Sequence, residues 1–195
     1  MGSSPSKPIT TYAVVQSLFN SNEIEHLRKI YVSMSRSEEL QNCYIVSSDL
    51  YAFFQKIIKC YNKTILQRMA QVFSSEYNDC IRFQDFVVIC GILTRNNCEE
   101  FRIKLLFQMF DLKGDEFFDI EEFKQIYPYF LVYQDNENAP PLDIGSGIYM
   151  IIYISTITSS STKTKIALPE FSKYVLEEET FVKLLNTWKS IKLFN

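Results

Sequence analysis

A short acidic segment between two apolar helical runs constrains this chain of 195 residues more than any other feature. Counted from Asp111, acidic side chains occupy positions 1, 5, 9 and 12, and they are Asp111, Asp115, Asp119 and Glu122. Oxygen ligands at this spacing can surround one hard cation, with Glu122 binding through both oxygens and the backbone carbonyl of Phe117 adding another. The segment therefore predicts a calcium site formed by these five residues.

Two residues of the segment depart from the pattern that such a loop needs. Lys113 stands at position 3, where an oxygen ligand belongs, and Glu116 stands at position 6, where the chain turns sharply with positive φ. A non-glycine residue in the left-handed region costs about 1–2 kcal/mol. The loop is therefore either one weak calcium site at most or a loop kept for its shape, in which the Lys113 ammonium stands in for the metal.

The composition favours a helical protein. The chain has 16 Phe and 12 Tyr but only 5 Gly, which suits helices packed through aromatic side chains better than a turn-rich β fold. Five cysteines, at positions 43, 60, 80, 90 and 98, form no C-x-x-C pair, and several lie in apolar runs. We expect them to be reduced, buried thiols. No apolar run approaches the ~20 residues of a membrane span, and no signal peptide is expected.

Charge and motif content argue against nucleic-acid binding and catalysis. The net charge of −3 offers no basic face, so nucleic acid is not an expected partner. The single histidine, His26, falls on the polar side of its predicted helix. The sequence has no Gly-rich phosphate loop and no G-x-S-x-G or H-E-x-x-H arrangement. We therefore expect a protein that is not an enzyme and that has no small-molecule substrate.

The helix–loop–helix pattern recurs along the chain. In the frame of the acidic loop, Ile81 and Asp85 take the apolar position 8 and the acidic position 12 of a second unit. Ile166 and Glu170 take the same positions in a fourth unit, whereas the connector of the first unit, residues 35–44, lacks ligand spacing. We expect the residue at position 8 to pair two loops through a short β-bridge.

These repeats predict an all-α fold of four helix–loop–helix units in two lobes, with most loops degenerate. We place the N-terminal lobe at residues 19–96 and the C-terminal lobe, which contains the loop 111–122, at residues 97–195. The first helix is expected to begin after Asn20, an N-cap with Glu23 three residues later, and the second at about Ser47. The fourth unit is expected to open with a helix over Leu142–Thr158.

The end of the chain predicts a further amphipathic helix. Phe181, Leu184, Leu185 and Trp188 recur at helical spacing and share one face. Two interpretations stay open. The face completes the C-terminal core, or it occupies a groove that a helix of a partner protein could claim.

The first residues carry a lipidation pattern. Residues 1–18 are expected to form a flexible arm, and its start fits the N-myristoylation pattern M-G-x-x-x-[ST] with Gly2 as the acceptor and Ser6 at the sixth position. A single acyl chain binds membranes only marginally. Any membrane contact through Gly2 is therefore expected to be reversible.

Three stretches carry a resemblance to a known family: residues 19–24, 81–86 and 106–111. With the Met-Gly-Ser-Ser start, they resemble the calcineurin-B-like branch of the EF-hand superfamily, which includes the neuronal calcium sensors. Residues 171–185 resemble the EF-hand proteins of ciliary dynein arms. The resemblance implies a non-enzymatic regulatory protein that grips an amphipathic helix of a larger protein. It carries over residue by residue only in the third loop, as Asp111, Asp115, Phe117, Asp119 and Glu122.

Two functions follow from the resemblance. The first is a cytoplasmic, calcium-responsive regulatory subunit or sensor, which could also contact membranes through a lipidated Gly2. The second is a structural adaptor that clamps a partner helix with or without calcium, for example in a ciliary or cytoskeletal assembly.

Overall fold

The computed structural model describes residues 17–35, 43–58, 62–76, 79–131, 165–177, 179–189 and 191–194. The helices are α1 (Ser21–Met34), α2 (Ser47–Ile57), α3 (Lys63–Glu76), α4 (Phe83–Thr94), α5 (Glu99–Phe110), α6 (Ile120–Leu131), α7 (Leu168–Glu177) and α8 (Glu179–Lys189). A 3-10 turn at Asn96–Cys98 joins α4 to α5, and the strands are β1 (Phe117–Phe118) and β2 (Ile166–Ala167). The all-α prediction is confirmed.

Helix α1 begins where the sequence predicts. The side chain of Asn20 accepts a hydrogen bond from the backbone N–H of Glu23 at 3.0 Å, and Glu23 accepts one from the N–H of Asn20 at 2.9 Å. Two of the N–H groups at the helix start are thereby satisfied, which is worth about 1 kcal/mol. His26 lies on the exposed side, as expected.

Three later helices repeat one part of this arrangement. Asp49, Asp85 and Glu122 each accept a hydrogen bond from the backbone N–H three residues earlier, at 3.0, 2.9 and 3.1 Å. Asp85 and Glu122 are the position-12 residues of the second and third units. Asp49 is therefore the position-12 residue of the first unit, for which the sequence pattern predicts no such residue.

The loops pair as the sequence predicts. Ile45 and Ile81 form an isolated antiparallel bridge, and Phe118 pairs with Ile166 where β1 meets β2. All four side chains are buried. The hydroxyl of Tyr31 reinforces the first pair, because it lies 2.9 Å from the carbonyl oxygens of both Cys43 and Ile81.

One continuous apolar core joins the two halves of the described chain. Helix α3 packs against α5 and α6, and α4 packs against α5 and α8. The apolar face of α8 is buried in this core through Phe181, Leu184, Leu185 and Trp188. The interpretation of that face as part of the core is confirmed. The division into lobes at residues 96 and 97 falls in the 3-10 turn between α4 and α5 and stays a prediction.

The predictions for the cysteines are confirmed only in part, and some other predictions lie outside the described residues. Cys90 and Cys98 are buried as expected, but Cys80 is exposed and Cys43 is partly exposed, because both lie in connecting segments rather than inside helices. Gly2, Cys60, the predicted helix over 142–158 and the first six residues of the fourth loop lie outside the described residues. Within the described ranges, no helix is long and apolar enough to cross a membrane.

Candidate functional site: the acidic loop and its cations

The backbone of the loop between α5 and α6 adopts the turn that its sequence frame requires. Gly114 has φ of 68° and Glu116 has φ of 66°, so position 6 is in the left-handed region despite its side chain. The carboxylate of Asp111 holds this turn. It accepts hydrogen bonds from the N–H groups of Gly114 at 2.8 Å, Asp115 at 3.2 Å and Glu116 at 3.0 Å. These bonds offset the cost of about 1–2 kcal/mol for the non-glycine residue.

The side chain of Asp111 forms hydrogen bonds with the backbone of its own loop. Its side chain is buried, and burial raises the pKa of Asp111 above its ordinary value of 3.8, although the three N–H donors act in the opposite direction. Both of its oxygens accept hydrogen bonds from this turn. Asp111, the first predicted metal ligand, therefore stabilises the turn of its own loop.

Glu122 closes the loop from the other end. It is 2% exposed, and its Oε1 atom accepts hydrogen bonds from the N–H groups of Leu112 and Lys113, each at 3.1 Å. Its Oε2 atom accepts the N–H of Asp119 at 3.1 Å. The bond to Asp119 is the helix cap already seen in the other units. The two bonds to residues 112 and 113 tie the start of the loop to its end.

Lys113 places its ammonium group between two of the predicted ligands. Its Nζ atom lies 2.8 Å from Oδ2 of Asp119 and 3.1 Å from Oε2 of Glu122. The hydrogen bonds to these two carboxylates raise the pKa of Lys113. The bond between Lys113 and Asp119 also lowers the pKa of Asp119 below its ordinary value of 3.8. The lysine thus remains positively charged where the sequence frame would place a metal ion.

A second lysine reaches the loop from the neighbouring unit. Lys165, directly before β2, forms an ion pair with Asp115. Asp115 also accepts the N–H of Phe117 at 3.2 Å. Phe117 itself lies in β1 opposite Ala167, with its side chain 43% exposed. The pairing of the two loops therefore brings a cation of the fourth unit to an acid of the third.

An arginine of α3, Arg68, binds the backbone at the start of the loop. Arg68 of α3 donates hydrogen bonds to the carbonyl oxygens of Gln108 at 2.9 Å, Met109 at 3.2 Å and Asp111 at 2.9 Å. These carbonyls belong to the end of α5 and the start of the loop, where a helix leaves acceptors unsatisfied. Burial lowers the pKa of Arg68, and the charges of Asp111 and Glu122 oppose that shift. Neither Arg68 nor Lys165 is among the site residues that the sequence predicts.

In this arrangement the acidic side chains of the loop bind backbone N–H groups and lysines and are not gathered around one point. Calcium takes six to eight oxygen ligands that turn toward it. Here the carboxylates of Asp111 and Glu122 accept backbone N–H groups, and those of Asp115, Asp119 and Glu122 face lysines. In the described part of the chain, no group of three or more acidic, cysteine or histidine side chains could hold a metal. The calcium site stays a prediction.

Comparison with known proteins gives two distant similarities, and no family model matches the chain. Human lysophosphatidylcholine acyltransferase 2 is 23% identical over 139 residues, which is 71% of this chain and 23% of that protein. Human calaxin is 26% identical over 125 residues, which is 63% of this chain and 58% of calaxin. The chain thus spans less than two thirds of either relative. The similarity to calaxin, an EF-hand protein, supports in coarse form the resemblance drawn from the sequence.

Proposed function

We propose that this chain is a non-enzymatic binding protein of EF-hand type whose third loop is closed by its own lysine and keeps its shape without calcium. One observation carries the proposal: the ammonium of Lys113 lies between the carboxylates of Asp119 and Glu122. A divalent ion at this place would have to displace a positive charge that is already paired with both acids. The geometry therefore favours a constitutive adaptor.

The partner in this proposal is an amphipathic helix of a larger protein. Helix α8 shows what kind of helix the apolar surfaces of this protein accept. It packs on α4, α5 and α7 through four buried side chains, which are those of Phe181, Leu184, Leu185 and Trp188. Helices recognised in grooves present anchors at this spacing. The distant similarity to calaxin supports a regulatory role in coarse form. The proposed place of action is the cytoplasm, with the cilium as the alternative that the resemblance of residues 171–185 implies.

Chemical denaturation with and without calcium tests the proposal. A calcium site with a dissociation constant of about 10 µM would raise the free energy of unfolding by about 2.7 kcal/mol at about 1 mM calcium. We expect the wild-type protein to unfold at the same urea concentration in EGTA and in calcium. The fluorescence of Trp188, the single tryptophan, reports unfolding.

A double variant supplies the matched positive control. Lys113→Asp with Glu116→Gly removes the ammonium and the strained residue, and we expect its urea midpoint to rise with calcium. A wild-type midpoint that rises with calcium, and that no longer rises in Glu122→Gln, would overturn the proposal.

A calcium sensor is the second candidate, and one observation favours it. Glu116 has φ of 66°, so the backbone already has the turn of a calcium loop. In this alternative, calcium displaces the Lys113 ammonium from Asp119 and Glu122, and the movement of α6 exposes apolar surface. Myristoylation of Gly2 would add reversible membrane contact to either function. The denaturation experiment separates the two candidates, because only the sensor predicts a calcium-dependent midpoint.

A further inference from the structure

Arg95 joins three distant parts of the chain at one point. It follows the last residue of α4, and its guanidinium carbon lies 4.2 Å from the ring centre of Phe19 and 5.3 Å from that of Phe194. One of its nitrogens lies 2.6 Å from Oε1 of Glu23. Phe19 precedes α1 and Glu23 lies in its first turn, whereas Phe194 belongs to the C-terminal segment, residues 191–194. Nothing in the proposed function uses this cluster.

The C-terminal segment reaches α1 through one aromatic residue. The ring of Phe194 lies 5.9 Å from that of Phe19, edge to face, and 5.7 Å from that of His26. Leu193 beside it is buried, and the N–H of Ile191 donates to the carbonyl of Trp188 at the end of α8. The position of this segment is therefore coupled directly to the position of α8.

The backbone of Arg95 is fixed from inside the core. Its N–H donates to the carbonyl of Gly91 at 3.0 Å, and its own carbonyl accepts a hydrogen bond from Arg102 at 2.7 Å. Arg102 is fully buried in α5 and also donates to the carbonyl of Ile92 at 2.8 Å. The backbone of Arg95 is thus held between α4 and α5, and from there its side chain reaches α1 and the C-terminal segment.

We infer that Arg95 is a latch that keeps helix α8 closed over the core. It holds the C-terminal segment to α1 through Phe194, and the segment in turn holds the end of α8. The planar guanidinium can stack on aromatic rings and still pair with Glu23, which lysine cannot reproduce. Opening of α8 would uncover the apolar surfaces of α4 and α5 that it covers. The latch would then regulate access to those surfaces, and this last step rests on the proposed function.

A competing explanation assigns the cluster to general stability alone. In that case, loss of Arg95 would weaken every helix equally. A latch predicts a local effect, since α8 would open while α2 and α3 keep their protection. Local and global opening are distinguishable by hydrogen exchange.

The experiment compares hydrogen exchange over residues 179–194, and acrylamide quenching of Trp188, in the free protein with EGTA present. Trp188 is fully buried, so quenching reports the opening of α8. In Arg95→Gln we expect exchange of α8 to rise about tenfold, with α2 and α3 unchanged, in line with the loss of two cation–π contacts and an ion pair. Arg95→Lys should rescue this only in part.

Two further variants keep the test decisive. Phe194→Ala removes the C-terminal end of the latch without touching α4, and it carries the test if Arg95→Gln does not fold. Arg28→Gln is the matched control, because Arg28 also lies over an aromatic ring, that of Phe83 at 4.4 Å, beside an acid. The inference is overturned if α8 is unchanged in both latch variants or if all helices lose protection together. Calcium and partner are absent, so failure here leaves the proposed function standing.

Discussion

Glu122→Gln is expected to destabilise the protein even when no calcium is present. In a calcium site this change removes a metal ligand and matters only with the metal. In the structure, Glu122 is a buried acceptor for the N–H groups of Leu112, Lys113 and Asp119 and for the Lys113 ammonium. The substitution therefore tests whether the loop is held by its own hydrogen bonds.

The magnitude follows from what an amide can accept. Glutamine has one oxygen, so it can keep the two N–H groups now bound to Oε1 or the donors bound to Oε2, but not both. Its NH₂ group then faces at least one backbone N–H, donor against donor. A partly buried N–H left without an acceptor costs about 1–2 kcal/mol. With a urea slope of about 2–3 kcal/mol per molar, the midpoint falls by about 0.3–1 M.

Urea denaturation in EGTA, followed by the fluorescence of Trp188 and by far-UV circular dichroism, measures this shift. Glu121→Gln is the control, because that neighbouring carboxylate is exposed and its ion pair is with Lys124 at 3.0 Å. We expect the control to change the free energy of unfolding by less than about 0.5 kcal/mol. Equal midpoints for Glu122→Gln and wild type in EGTA would refute the reasoning, since the hydrogen bonds of Glu122 would then contribute nothing to the metal-free protein.

Three further predictions concern the groups around the loops. The hydrogen bond from Lys113 lowers the pKa of Asp119 in the folded protein. The stability that this bond adds is therefore present above the ordinary pKa of 3.8 and is lost as the pH falls through the lower pKa of the folded state. The urea midpoints of wild type and Lys113→Met should converge between about pH 5 and pH 2. Arg68→Ala should lower the free energy of unfolding by about 2 kcal/mol, because three carbonyls lose a charged donor, and Arg68→Lys should recover only part in the same urea assay. Tyr31→Phe should cost about 1 kcal/mol in thermal or urea unfolding, and no change would show that its hydroxyl does not hold the first loop pair.

Features set by local rules could be predicted from the sequence. The capping residues of α1, the left-handed turn at Glu116 and the positions at which Ile81 and Ile166 each enter a bridge depend on spacing within a short segment. The apolar face of α8 follows from helical periodicity in the same way. Periodicity, capping and turn chemistry act over a few residues, so they are readable before the fold is known.

The cations around the loop depend on which segments meet in space. Lys165 lies 50 residues from Asp115, and Arg68 lies in a different unit from the carbonyls it binds. One signal was available for Lys165. It directly precedes Ile166, and a bridge between Ile166 and Phe118 brings it beside the third loop. Arg68 and Arg95 carry no such signal, because in the sequence each is only a polar residue in or directly after an apolar helix. The partners of both arginines are set by tertiary packing.

Calorimetric titration of calcium into the metal-free protein tests the central claim most directly. Since the Lys113 ammonium is already paired with Asp119 and Glu122, we predict no saturating heat up to about 1 mM calcium, whereas Lys113→Asp with Glu116→Gly should bind about one ion per chain. A saturating heat at about one ion in the wild-type protein, absent in Glu122→Gln, would contradict the account. The loop would then be a working calcium site from which lysine is displaced.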